Sequence, residues 1–114
     1  MVRQRTGRGP LTVDLRGAGT AQPRLYVRDG SGLVLVLPVP ERAVPAVRAH
    51  LAGPDDRRDC DLELLDERGQ VASRWGSFPR AGRAAALAAV LLARDRTLAA
   101  ARVVTAVPGP AVTG

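Results

Sequence analysis

With 114 residues, 46% of them apolar and 25% charged, the chain has room for one folded domain and lacks the low-hydrophobicity signature of disorder. The net charge is +6, and the single cysteine, Cys60, excludes an internal disulfide and a cysteine-paired zinc site. All 17 basic residues are Arg, and Lys, Ile and Asn are absent. That bias toward GC-rich codons points to an actinobacterium-like bacterial host, and it discounts the preference for phosphate that Arg over Lys would otherwise signal.

The charge is unevenly spread. Residues 1–28 carry six Arg against Asp14, residues 29–53 are neutral, residues 54–67 carry seven acids against two Arg, and residues 68–114 carry seven Arg against Asp95. Basic ends around an acidic middle suit a polyanion or a second copy of the chain.

In chain order, residues 1–10 are rich in Arg and Gly and have no periodicity, so they read as a flexible arm. Their charge resembles a signal-peptide start, but no continuous apolar stretch follows, and the most apolar segment, 84–93, is far short of the roughly 20 residues of a membrane span. A reducing cytoplasm, with neither secretion nor membrane insertion, is the expectation. Residues 11–16 alternate Leu11, Val13 and Leu15 with polar neighbours, which predicts a half-buried strand. Residues 24–29 alternate again, and Asp29-Gly-Ser-Gly32 turns the chain into the all-apolar run 33–37, predicting a hairpin whose second strand lies centrally with both faces covered.

Pro38 and Pro40 end that strand, and Val44, Val47 and Leu51 predict a short helix over 41–52 with Pro45 in its first turn. After a polar loop, Cys60, Leu62 and Leu64 alternate with Asp59, Asp61 and Glu63. The turn Asp66-Glu-Arg-Gly69 then leads into residues 70–78, where Val71, Ser73 and Trp75 share a face. Ser77 is the expected cap of a long Ala-rich helix over 80–102 that carries Leu87, Val90, Leu91 and Leu98 on one stripe. The expected fold class is α+β, an antiparallel sheet of about five strands with two helices on one face in β-ββα-ββα order. Residues 11–104 form the domain and 105–114 a tail. The turns at Asp29 and Asp66 align at an offset of 37 residues, which fits an internal duplication or two hairpins with similar turn chemistry.

No catalytic constellation or cofactor motif is recognisable, so an enzyme is not expected. His50 reads as an ordinary surface histidine. Cys60, between two aspartates, reads as a buried, inert thiol, because neighbouring carboxylates disfavour the thiolate. Asp59, Asp61 and Glu63 project at i, i+2 spacing and are weak candidates for Mg²⁺ or Ca²⁺, against the plainer reading of an acidic strand face that discourages aggregation. Arg16, Tyr26 and Arg28, with Arg74 and the arm residues Arg3, Arg5 and Arg8, form a candidate nucleic-acid surface for DNA or RNA. The competing expectation is a protein-interaction or adaptor domain, homodimeric or bound to another protein, with Leu87, Val90, Leu91 and Leu92 at the interface. The second helix has more apolar circumference than one small sheet needs, and its many Ala permit close helix approach.

Overall fold

A computed structural model describes residues 3–6, 10–53 and 58–105. The chain is a mixed α+β structure with seven described strands and two α-helices. The strands are β1 (Arg3–Thr6), β2 (Thr12–Arg16), β3 (Arg24–Asp29), β4 (Gly32–Pro38), β5 (Cys60–Asp66), β6 (Val71–Phe78) and β7 (Leu98–Thr105), and the helices are α1 (Val44–Leu51) and α2 (Ala81–Arg94). A single 3-10 turn, Glu41–Ala43, leads into α1, and Pro45 occupies the first turn of that helix, where its missing N–H costs nothing.

The strands form two sheets rather than the expected single one. One has the order β2-β3-β4 and is antiparallel; the other has an antiparallel core β6-β5-β7 to which β1 adds in parallel along β6. Alternation set the inward faces correctly, and Val13, Leu25, Val27, Leu62 and Leu64 are all buried. It carries no information on which strands pair, and that is where the single-sheet expectation failed. The two sheets meet at the Leu11 N–H, which donates to the Ser77 carbonyl at 2.7 Å. Helix α2 lies against β2, β5, β6 and β7, so it touches both sheets, and α1 packs on α2. One buried cluster therefore joins all the layers.

The second helix is shorter than its Ala-rich sequence suggests. It ends at Arg94 because Asp95 turns extended and its carboxylate accepts the Thr97 N–H at 2.9 Å and the Thr97 hydroxyl at 2.6 Å. This Asx turn redirects the chain, and the β-branched Val103, Val104 and Thr105 complete a strand along β5 instead of a helix. Ser77 does not cap α2. It belongs to β6, and the helix starts from an extended Arg80 with no side-chain cap. Part of the expected N-terminal arm is likewise strand, Arg3–Thr6, and strand structure extends through Thr105 at the far end; residues 106–114 lie outside the described residues.

The small residues of α2 do permit close helix approach, but toward the chain's own α1: a Cβ on Gly82 would lie 2.4 Å from the His50 carbonyl oxygen. The apolar run 33–37, expected centrally, is the edge strand β4. Its Leu37 is buried and Val34 and Leu35 pack on the core, while Leu33 is 53% exposed. Among the described residues no helix is long and apolar enough to cross a membrane.

Candidate functional site

The strand alternation that buries Leu25 and Val27 turns Arg24, Tyr26 and Arg28 to the opposite face of the β2-β3-β4 sheet. Pairing with β2 sets Arg16 opposite Arg24, Asp14 opposite Tyr26 and Thr12 opposite Arg28. The Tyr26 ring stands between two cations, with the Arg16 guanidinium carbon 5.2 Å and that of Arg28 5.9 Å from its centroid. Both are within cation–π range. Three expected members of the basic surface, Arg16, Tyr26 and Arg28, are thus brought together. Arg24 joins them; its i, i+2 relation to Tyr26 and i, i+4 relation to Arg28 was the signal that placed it there.

Arg74 does not belong to that surface. It lies in the other sheet, where Glu63 is the cross-strand partner of Arg74 on β6 and of Arg102 on β7. Arg102 donates from Nε at 2.9 Å and from Nη2 at 2.5 Å to Oε1 of Glu63, and Arg74 donates to Oε2. Arg102 went unrecognised as a partner because its segment reads as helix. Arg3 and Arg5 lie on β1 beside Ser73 and Trp75, and Arg8 lies outside the described residues.

The Glu63 side chain is only 9% exposed and both its oxygens are occupied by guanidinium groups, which leaves this weak metal candidate without a free ligand atom. Asp59 is exposed and Asp61 half-buried, and among the described residues no three His, Cys, Asp or Glu side chains converge as a metal site would need. Hydrogen bonds from Arg102, then from Arg74, hold the Glu63 carboxyl below its ordinary range against the opposing effect of burial. A carboxylate whose folded value is depressed stabilises the fold above its unfolded value, about 4.3, and that contribution is lost as pH falls through the lower folded value. Glu63→Gln is accordingly expected to cost about 1–2 kcal/mol at neutral pH, a modest figure because both Arg side chains are half-exposed. Urea denaturation at neutral pH and well below pH 4 checks this, since the gap between wild type and variant should close in acid.

The remaining candidates are dispersed. His50 is exposed in the last turn of α1, beside an apolar groove of about 370 Å³ lined by Ala49, Gly53, Ala81, Gly82, Ala85 and Val103. Cys60 is a buried thiol that donates to the Phe78 carbonyl at 3.6 Å. Of the four residues expected at an interface, Leu87 and Val90 are fully buried in the chain's own core, and Leu91 and Leu92 are partly covered. The apolar excess of α2 is consumed by two sheets and α1 together. Large apolar side chains remain exposed at the two edge strands β4, through Leu33, and β7, through Val103 and Val104, with Leu33 the most exposed of the three. Among the described strands β4 alone has no charged side chain, and its open edge has no hydrogen-bond partner among the described residues. Comparison of the chain with models of known protein families, with curated proteins and with solved structures finds no match in any of the three.

Proposed function

We propose that this chain is a non-enzymatic cytoplasmic interaction module that works as a homodimer, the β4 strand of one copy pairing antiparallel with β4 of the other. The observation that carries the reading is an uncharged strand, Gly32–Pro38, at an open sheet edge with Leu33 more than half exposed. Monomeric proteins guard such edges with charge, Pro or cover, because an unpaired row of N–H and C=O groups is a template for another strand; the one Pro of β4, Pro38, stands at its last position and leaves residues 32–37 open. Each of the other edge strands carries charged positions: β1 has Arg3 and Arg5, β7 has Arg102, which is bound to Glu63, and β2 has Asp14 and Arg16 and gives its Val13 carbonyl to Arg83 at 3.2 Å.

A second copy suits this edge for a geometric reason. A two-fold axis perpendicular to the sheet lays β4 against itself in antiparallel register, and with no charge along the strand no like charges meet. Three strands become six, and each copy's Leu33 gains cover. The dispersal of His50, the buried Cys60 and the neutralised Glu63 supports a binding role over a catalytic one.

Mass by light scattering tests the proposal. The wild-type chain is expected at twice its 12.0 kDa over a range of concentrations. Leu33→Lys, which puts a hydrated charge on the otherwise uncharged strand of each copy, is expected to give the single-chain mass with an unchanged circular dichroism spectrum. A wild type that stays at the single-chain mass when concentrated, or a Leu33→Lys protein that still dimerises, would overturn it.

A further inference from the structure

We infer that the outer face of the β2-β3-β4 sheet, where Arg16, Arg24 and Arg28 surround Tyr26, binds single-stranded nucleic acid. The described arginines include two contrasting groups. Arg74 and Arg102 are neutralised by Glu63, Arg42 donates to the Ala93 carbonyl at the end of α2, and Arg83 donates to the Val13 carbonyl. Arg16, Arg24 and Arg28 have no carboxylate partner among the described residues. Asp14 is the one acid at the outward positions of β2 and β3, so this face carries a net positive charge.

Two features mark the face as more than solubilising surface. Arg16 and Arg24 are direct cross-strand partners, an arrangement that costs stability unless an anion lies between them. The Tyr26 ring also holds two guanidinium groups against the sheet, so less side-chain freedom is lost when those forks close on a phosphate. Arg24 and Arg28 are four residues apart on one strand, about 13 Å, which spans more than one phosphate.

The shape selects a single strand over a duplex. The outward positions belong to strands, and among the described residues no helix or protruding ribbon stands on this face to enter a groove, so base edges inside a duplex would stay out of reach. Unpaired bases can lie flat on a sheet and stack on the Tyr26 ring and the guanidinium planes, with phosphates on the same arginines. The face lies within one protomer, so this inference stands independently of the β4 dimer.

Fluorescence anisotropy with a fluorescein-labelled thymidine homopolymer of roughly 20 nucleotides is the test. Three phosphate contacts give a slope of about −2 in log affinity against log salt, or a roughly 18-fold loss between about 50 and 200 mM. Arg16→Ala should lower the magnitude of that slope by about 0.7, a change that a merely structural role would not produce. Tyr26→Phe should bind as wild type does, and Tyr26→Ala more weakly. The inference is overturned by an absence of wild-type binding at low salt, by equal or tighter binding of a duplex of the same length, by equal displacement with polyglutamate, or by a salt slope unchanged in Arg16→Ala.

Discussion

Phe78→Ala is expected to destabilise the fold by about 3–5 kcal/mol, a large share of the roughly 5–15 kcal/mol that a domain of this size possesses. Phe78 is the single phenylalanine of the chain and is fully buried. It closes β6 opposite Cys60, whose thiol donates to its carbonyl, and it follows Ser77, whose carbonyl takes the Leu11 N–H from the other sheet. Truncation opens a cavity where the two sheets join, and neighbours bound by sheet hydrogen bonds can collapse only partly into it. Urea denaturation should show a lower midpoint with an unchanged slope, since the surface exposed on unfolding stays nearly the same.

Leu87→Ala is the second large effect, with an expected cost of about 2–5 kcal/mol and no change in solution mass. Leu87 lies on the face of α2 that bears on both sheets, and its neighbours there, Ala84, Ala88 and Val90, are buried as well. Were this face an interface between copies, the variant would alter association and leave the isolated fold nearly unaffected. Leu92→Ala provides the contrast: its side chain is only partly covered, so a much smaller loss is expected. Denaturation and light scattering on the two variants separate core from surface on a single helix.

Both hairpins were legible in the sequence because their turns advertise themselves. Asp29 accepts the Ser31 N–H at 2.7 Å, and Asp66 accepts the N–H groups of Arg68 at 2.9 Å and Gln70 at 3.0 Å; the first turn leads from an alternating run into the all-apolar run 33–37, and the second follows an alternating run. The Asp95 turn uses the same chemistry and was missed because Ala on both sides of it supports helix and strand periods alike until Val103. The shared Asx chemistry explains the resemblance at the 37-residue offset locally, whatever its origin. Sheet membership was not legible: the pairings of β5 with β7 and of β1 with β6 join residues far apart in sequence, and no local pattern encodes them. The same limit put β4 centrally. Its uncharged sequence says that it wants cover, and the fold shows that the chain's described residues leave one edge without it.

The basic surface was partly legible. Alternation placed Arg16, Tyr26 and Arg28 on one face from sequence alone, whereas Arg74 could be assigned elsewhere only once two sheets and the Glu63 bridge were known. Charge by itself does not tell an arginine that is neutralised by a neighbour from one that faces solvent with none.

Amide hydrogen exchange along Gly32–Pro38 tests the self-pairing of β4 most directly. Amides that point away from β3 are expected to exchange slowly in concentrated wild-type protein and to speed up on dilution and in Leu33→Lys, while the inward amides stay protected throughout. Outward amides that exchange as fast as an open strand at every concentration, with β3 still protected, would contradict the account.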